Sequence, residues 1–199
     1  MTYKVTWDMT PNAMQNIDHI VRSNGIPNTI VEVGVYEGHT TCTMSDSYTP
    51  YNPNLKIYGI DPHIGSVEIE EDPVVIHNNF MYNINACKHK NIEFIRKHSE
   101  DGLLDLINQG VRPEFIYIDG DHHASTVLTD LTLCFKMLVT GGIILCDDAT
   151  DWKYIDKNGT AAAQMSPRLA VETFIACNWH KLEIIRIPDM GQTAFRKIC

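Results

Sequence analysis

Hydrophobic residues follow two different spacings along the chain. Short, nearly continuous apolar runs end in a glycine or an acid, which is typical of buried strands, and the segments between them carry apolar residues three or four apart, which is typical of helices. The predicted strands are Thr29–Gly34, Lys56–Asp61, Asn91–Arg96, Glu114–Asp119 and Gly142–Asp147, followed by a closing hairpin of Leu182–Ile187 and Thr193–Lys197. The predicted helices are Pro11–Asn24, Thr40–Ser47, Asn79–Lys88, Ser99–Gln109, Ala124–Leu138 and Pro167–Cys177.

Strands that alternate with helices and are apolar along their whole length predict a parallel sheet covered by helices on both faces. We therefore expect a doubly wound, Rossmann-like α/β fold with a mostly parallel sheet and a C-terminal antiparallel hairpin. The 199 residues suit a single domain, and no repeat or low-complexity tract divides them. Within it we distinguish an N-terminal helical segment (1–27), a core that carries the candidate site (28–150), and a C-terminal loop, helix and hairpin (151–199).

Composition narrows the class of protein. Apolar residues make up 44% of the chain and charged residues 21%, as in ordinary globular domains. The apolar runs are far shorter than the roughly 20 residues that cross a bilayer, and the first residues lack the pattern of a secretion signal, so we expect a cytoplasmic protein without a membrane partner. The net charge of −9 disfavours nucleic acid as a partner. The six cysteines show neither disulfide nor zinc spacing.

Several of the acidic residues fall at the ends of the predicted strands. In doubly wound sheets, ligands lie beyond the carboxyl ends of the strands, where the strand order reverses. Acidic residues occupy or follow the predicted strand ends there: Glu32, Asp61, Asp119, Asp147 and Asp148. The acids at 68 and 70–72 lie elsewhere and are most simply a solvated loop.

The loop after the first strand, 32–41, contains Gly34 and Gly38 but is neither G-x-G-x-x-G nor a P-loop. Glu32 and Glu37 flank it with negative charge, which disfavours a phosphate. A ligand with an ammonium, a sulfonium and a ribose fits better, and S-adenosylmethionine is such a ligand. Asp61, at the end of the second strand, is placed to accept hydrogen bonds from ribose hydroxyls, as in dinucleotide folds. His63 either borders that pocket or, as is usual for a loop histidine, is exposed.

Three aspartates suggest a cation site. Asp119, Asp147 and Asp148 follow neighbouring strands, about 4.8 Å apart in a parallel sheet, so their carboxylates repel one another unless protonated or neutralised. Their oxygens suit Mg²⁺, Ca²⁺ or Mn²⁺ better than zinc. The alternative is that such aspartates only cap a helix or turn, which applies most to Asp148 and to Asp121. His122 is the candidate general base, whereas a neighbouring His123 is interpreted as solvated or as the start of a helix.

These residues resemble class I S-adenosylmethionine-dependent methyltransferases, and among them the macrocin-type sugar O-methyltransferases. The matching positions are Glu32, Gly34, Gly38, Thr40 and Thr41 in the first motif, Ile60–Asp61 in the second, and Phe115–His122, Asp130–Leu131, Gly141–Ile144 and Asp147–Asp148 in the most diagnostic stretch. The resemblance implies that the first-motif residues and Asp61 bind the cofactor together with Asp119, and that Ser99 and Glu100 contact its adenine.

The same resemblance, shared with catechol and caffeoyl-CoA enzymes, implies that Asp119, Asp147 and Asp148 hold a divalent metal, with Mg²⁺ expected, and that His122 is the base. The sequence departs from the catechol type in carrying Asp148 where those enzymes have Asn. Its N-terminal region is also short, about one helix, which leaves the lid over the acceptor undefined.

The resulting hypothesis is a metal-dependent O-methyltransferase acting on a hydroxyl of a small molecule or sugar. One alternative is a relative that binds S-adenosylmethionine but has a different or no methyl-transfer activity, such as a partner subunit or a hydroxylase-like member. A nicotinamide-dependent dehydrogenase is disfavoured by the missing third glycine and by Glu37. The sequence does not name the acceptor or the metal, and it leaves a homodimer open.

Overall fold

The computed structural model describes residues 3–6, 10–65, 71–150, 155, 162, 164–188 and 191–199. Within these ranges seven strands form one sheet: β1 (Thr29–Val33), β2 (Lys56–Ile60), β3 (Ile92–Ile95), β4 (Phe115–Ile118), β5 (Ile143–Cys146), β6 (Leu182–Ile185) and β7 (Thr193–Lys197). Their order is β3-β2-β1-β4-β5-β7-β6. The first five strands are parallel, and β7 runs antiparallel to both β5 and β6. The predicted fold, with its closing hairpin, is confirmed.

Helices cover both faces of the sheet. They are α1 (Thr10–Asn24), α2 (His39–Tyr48), α3 (Pro73–Ala86), α4 (Ser99–Asn108), α5 (Ala124–Met137) and α6 (Pro167–Asn178). On one face the core contains residues of α1 and α2, among them Ile17, Ile20, Met44 and Tyr48. On the other it contains residues of α4, α5 and α6, among them Leu103, Leu106, Leu131 and Phe174. Burial of these apolar side chains provides the main favourable contribution to folding.

Helix α3 begins six residues earlier than the sequence pattern predicted. The Asp72 side chain accepts a hydrogen bond from the Val74 N–H at 2.8 Å, and Pro73 occupies the first turn. An aspartate cap followed by proline is a strong start signal. Asp72 is exposed, as the sequence predicted, and in addition it caps α3. Residues 66–70, which include Glu68 and Glu70 of that acidic loop, lie outside the described residues, as does most of the predicted polar loop 151–166.

The strand register brings the candidate residues to one edge. Val33 pairs with Ile60 on β2 and with Ile118 on β4, and Ile118 pairs with Cys146 on β5. The residues that come next, Gly34, Asp61, Asp119 and Asp147, therefore follow four neighbouring strands at the same level. The strand order reverses between β1 and β4, and the crevice of a doubly wound sheet lies at such a reversal.

Two expectations from composition can be compared with these residues. All six cysteines are free, and four of them, Cys42, Cys87, Cys134 and Cys146, are buried, where a thiol packs as a small apolar group. Among the described helices, none has the length and apolar character that a membrane crossing requires.

Candidate functional site

Asp61 anchors the loop between β1 and α2. Its Oδ2 accepts hydrogen bonds from the N–H groups of Val35 at 2.9 Å and Tyr36 at 2.8 Å, and its Oδ1 accepts one from the N–H of His63 at 2.7 Å. A carboxylate has about four acceptor positions, and Asp61 is half-buried, so it retains the capacity to accept from a ligand hydroxyl. The structure adds a role that the sequence did not reveal, which is to fix the loop itself.

The two glycines of this loop are required by contacts within the protein. Gly34 has a φ of +86°, and a Cβ there would lie 1.9 Å from the carbonyl oxygen of Asp119. Gly38 has a φ of +75°, and a Cβ there would lie 2.8 Å from the Phe80 ring. The sequence interpretation was that glycine allows a ligand to approach the backbone. What the structure shows at Gly34 is the close approach of the β1 loop to the end of β4.

Glu32 lies within β1, one residue before its end, and is buried. The Thr41 hydroxyl donates to its Oε2 at 2.5 Å. Burial raises the pKa of this carboxyl, the Thr41 hydrogen bond opposes the shift and the Asp61 charge adds to it, and the resulting pKa is about 8. A buried carboxyl with so little compensation is stabilised in its charged form by a cationic group brought next to it.

Glu37 does not have the role that the sequence suggested. It is buried, and its carboxylate accepts hydrogen bonds from the N–H and hydroxyl of Thr6 at 2.7 and 2.9 Å and from the Asn79 side chain at 2.7 Å. Three donors compensate its charge, so Glu37 is not an unpaired charge facing a ligand and contributes less to the argument against nucleotides than the sequence suggested. The contact also ties the N-terminal segment, residues 3–6, to the loop before α2.

His63 is buried, so the interpretation as an exposed loop histidine was wrong. Its Nε2 lies 2.8 Å from the Tyr36 carbonyl oxygen, and its Nδ1 lies 3.0 Å from Nδ1 of His77. Its ring is stacked on Phe94 with centroids 4.7 Å apart. Burial lowers the pKa of His63. A neutral imidazole can donate from Nε2 to the carbonyl and accept at Nδ1, so it joins the β2 loop to the β1 loop and to α3.

The remaining predicted cofactor residues lie at helix starts. Thr40 is half-buried in the first turn of α2. Ser99 and Glu100 begin α4, Ser99 half-buried and Glu100 exposed. Beside them Asp130 of α5 is buried, and neither of its oxygens has a hydrogen-bond partner among the described residues. Burial raises the pKa of Asp130 to about 7, an increase that the nearby Ser99 hydroxyl opposes.

At the ends of β4 and β5, ligand atoms of Asp119, His122 and Asp148 lie within 4.8 Å of one another. His122 Nε2 is 3.1 Å from Asp148 Oδ2. Asp148 has a φ of +49°, a left-handed conformation that is uncommon outside glycine. Atoms that each lie about 2.0–2.6 Å from one shared ion are separated by distances of this size. All three side chains are half-buried, and this donor set fits a hard divalent cation.

Asp147 was predicted to belong to the same group. In the structure its two carboxylate oxygens are instead hydrogen-bonded within the protein. Its Oδ2 accepts from the Tyr117 hydroxyl at 2.5 Å, and its Oδ1 accepts from the Asp148 N–H at 3.0 Å. The same hydroxyl lies 2.9 Å from Oδ2 of Asp119. Burial raises the pKa of Asp147, and burial together with the charge of Asp147 raises the pKa of Asp119 well above its usual range.

Tyr117 is the residue of this site that sequence reasoning missed. It sits in the apolar run of β4 and is completely buried, so its pattern is that of a core tyrosine. Asp121 and His123 have the local roles expected of them. Asp121 accepts from the ring Nδ1 of His123 at 2.7 Å, and His123 is the residue that precedes the first turn of α5.

Comparison with known proteins agrees with this geometry. A family model described as "Methyltransferase domain" (Methyltransf_24) matches residues 31–149, more than half of the chain. Protein R132 of Acanthamoeba polyphaga mimivirus, itself described as uncharacterized, is 30% identical over 131 residues, which are 63% of this chain and 53% of that protein. The match therefore spans about half the length of that relative.

Solved structures share the fold. An O-methyltransferase from Bacillus cereus in complex with SAH superposes with a TM-score of 0.64 at 15% identity, covering 99% of this chain and 84% of that one. CalS11, a TDP-rhamnose 3'-O-methyltransferase of calicheamicin biosynthesis, superposes with a TM-score of 0.61 at 16% identity, covering 94% of this chain and 79% of that one. At these identities the likeness establishes the architecture.

Proposed function

Because the chain belongs to the methyltransferase-domain family, whose enzymes depend on S-adenosylmethionine, we propose that it transfers the cofactor's methyl group to a hydroxyl of a small molecule or sugar at a site that uses a divalent cation. The observation that carries this proposal is the grouping of Asp119, His122 and Asp148 directly beside the cofactor loop. The two are in contact, since Gly34 of that loop packs against the Asp119 backbone.

The β1–β2 side supports binding of the cofactor. Asp61 holds the loop and has acceptor capacity left for ribose hydroxyls. Glu32, buried with a pKa of about 8, is better stabilised once an ammonium group lies next to it. Thr41 orients that carboxylate through its hydroxyl. Ser99 and Glu100, at the start of α4, are proposed to contact the adenine.

The β4–β5 side supports the acceptor chemistry. Asp119 and Asp148 would hold the cation, which when bound acidifies a hydroxyl and favours its attack. We assign to the His122 imidazole the removal of the hydroxyl proton. The Asp148 carboxylate, 3.1 Å from its Nε2, stabilises the resulting imidazolium. Holding the acceptor oxygen in line with the methyl group supplies much of the remaining rate enhancement.

The first experiment is titration calorimetry of the wild-type chain with S-adenosylmethionine, in the presence and absence of Mg²⁺, followed by transfer of a labelled methyl group to catechol and TDP-rhamnose with and without EDTA. We expect cofactor binding, and methyl transfer that is lost with EDTA. If the chain does not bind S-adenosylmethionine, the proposal fails. Binding with transfer that EDTA does not affect would remove only the cation.

A pair of variants separates the cation from the fold. Asp119→Asn is expected to lower methyl transfer by roughly 10³-fold, within the several kcal/mol that a catalytic metal supplies. Asp121→Asn, in the same loop but engaged by His123, should retain most of the activity. His122→Ala distinguishes a base from a ligand, because loss of the base leaves Mn²⁺ affinity unchanged whereas loss of a ligand lowers it.

A further inference from the structure

The Tyr117 hydroxyl stands at the junction of the two predicted metal-ligand loops. Tyr117 is completely buried, and its ring lies in the core on the α1 and α2 face of the sheet. From there the hydroxyl reaches the strand ends, 2.9 Å from Asp119 Oδ2 and 2.5 Å from Asp147 Oδ2. It is therefore the polar tip of an otherwise apolar side chain, placed between two carboxylates of neighbouring strands.

A hydroxyl has one hydrogen to donate. Shared between two carboxylates, it holds the Oδ2 atoms of Asp119 and Asp147 toward the same point and reduces their repulsion. For Asp147 the other oxygen is also engaged, since Oδ1 accepts from the Asp148 N–H at 3.0 Å. For Asp119 the shared bond uses Oδ2 alone. The geometry thus fixes Asp147 by both of its oxygens and orients Asp119 by one.

A second set of contacts supports Asp147 from helix α1. The Gln192 side chain lies beside Asp147, where it opposes the rise in the pKa of that carboxyl, and the Asn16 side chain donates to Oε1 of Gln192 at 2.7 Å. Asn16 is completely buried in α1, and its amide also donates to the Pro188 carbonyl at 3.2 Å. This hydrogen bond connects α1 to the residue before β7, beside Asp147 at the end of β5.

We propose that Tyr117 is a positioning residue for the cation site: its shared hydroxyl orients the carboxylates of Asp119 and Asp147 at the strand ends where the cation would lie, and Gln192, held by Asn16, lies beside Asp147. This inference rests on the proposed function, because it needs a cation at Asp119 and Asp148. Groups that orient metal ligands in this way affect metal affinity by roughly 10- to 100-fold when they are removed.

The test compares Tyr117→Phe with Tyr48→Phe. Tyr48 is the matched control because it is equally buried and its hydroxyl also contacts an aspartate, Asp18 at 3.1 Å, on the α1–α2 side. Mn²⁺ binding is measured by electron paramagnetic resonance and S-adenosylmethionine binding by calorimetry. We expect Tyr117→Phe to weaken Mn²⁺ binding by at least about tenfold, to broaden the signal of the bound ion, and to leave cofactor affinity within twofold, and Tyr48→Phe to change neither.

Wild-type Mn²⁺ affinity retained in folded Tyr117→Phe would overturn the inference and leave the proposed function intact. A wild-type chain that binds no Mn²⁺ would contradict the cation of the proposed function, and this inference with it. If circular dichroism shows that Tyr117→Phe does not fold, Gln192→Ala replaces it. That variant leaves Tyr117 in place and is expected to weaken Mn²⁺ binding several-fold, and an unchanged affinity would again overturn the inference.

Discussion

With the exception of the poorly compensated Glu32, the carboxylates in the two halves of the crevice are compensated in opposite ways. On the β1–β2 side, Asp61 accepts three backbone hydrogen bonds and Glu37 accepts three from Thr6 and Asn79. On the β4–β5 side, Asp119, Asp147 and Asp148 crowd together, and the first two share the single hydroxyl of Tyr117. Burial, together with the charges of the neighbouring carboxylates, raises the pKa values of Asp119 and Asp147.

The difference teaches what each side requires from outside the protein. A carboxylate that its own chain has satisfied needs no partner to be stable, so the β1–β2 loop is largely preformed. Carboxylates that repel one another gain stability from a cation, so the β4–β5 side is incompletely compensated on its own. We infer that the loop in the first half of the crevice is preformed by its own hydrogen bonds, whereas the carboxylates of the second half are stabilised by a bound cation.

The largest expected effect concerns Asp130, which is an exception to this comparison. It lies beside Ser99, a proposed cofactor contact, yet its carboxyl has no hydrogen-bond partner among the described residues. Its folded pKa of about 7 exceeds the ordinary value near 4. The unfolded chain therefore loses this proton first as the pH rises. Stability should fall between pH 4 and 7, by at most about 4 kcal/mol, and show no further loss from this group above pH 7.

Asp130→Asn should remove that fall and be more stable than the wild type at pH 8, as measured by urea unfolding at pH 5 and pH 8. Asp105→Asn is the control, because Asp105 is on the exposed side of α4 in a surface ion pair with Lys97, and such pairs contribute about 0–1 kcal/mol. A loss of stability for Asp130→Asn at pH 8 would show instead that a donor stabilises the ionised carboxylate.

A matched pair of isosteric variants tests the comparison directly. Asp61→Asn should destabilise the ligand-free protein by about 1–3 kcal/mol, because an amide cannot accept the hydrogen bonds of Val35, Tyr36 and His63 with both of its atoms. Asp119→Asn should stabilise it, because a buried and repelled carboxyl with a raised pKa is replaced by a neutral group. Thermal unfolding without metal gives both values, and equal signs would contradict the distinction between the two sides.

The smallest expected effect is the pH dependence of cofactor binding. Glu32 is protonated below its pKa of about 8 in the ligand-free protein, and only the ionised form pairs with an ammonium group. Affinity for S-adenosylmethionine should therefore rise with pH, by about tenfold per unit at most, and level off above pH 8. Calorimetry from pH 6.5 to 9 should show this rise in the wild type and in Glu37→Gln, and a much weaker one in Glu32→Gln.

Most of the fold was predictable from local pattern. The five parallel strands are short apolar runs, and their observed bounds lie within one residue of the predicted ones at each end. Helix α3 was the exception, because acids before residue 73 were interpreted as a loop although Asp72 and Pro73 carry a start signal. The strand ends also located the acids, since the carboxyl ends of parallel strands meet at one edge of the sheet.

Several partners of these acids were not predictable, since they lie far along the chain. Thr6 and Glu37 are 31 residues apart, and Tyr117 and Asp147 are 30 apart. Whether a glutamate faces a ligand or a distant threonine depends on packing that periodicity does not encode. Tyr117 shows the same limit, because a tyrosine in an apolar strand has one pattern whether its hydroxyl is structural or supports a site.

The backbone at Asp148 has a consequence for protein design. Its carboxylate reaches His122 from a residue with a φ of +49°, a conformation that an L-residue adopts at a cost of order 1–3 kcal/mol. Copying Asp119, His122 and Asp148 onto another parallel sheet would therefore reproduce the residues without the orientation of their side chains. A successful graft would have to transfer the β5 loop as a unit, with the neighbours that hold it in the left-handed region.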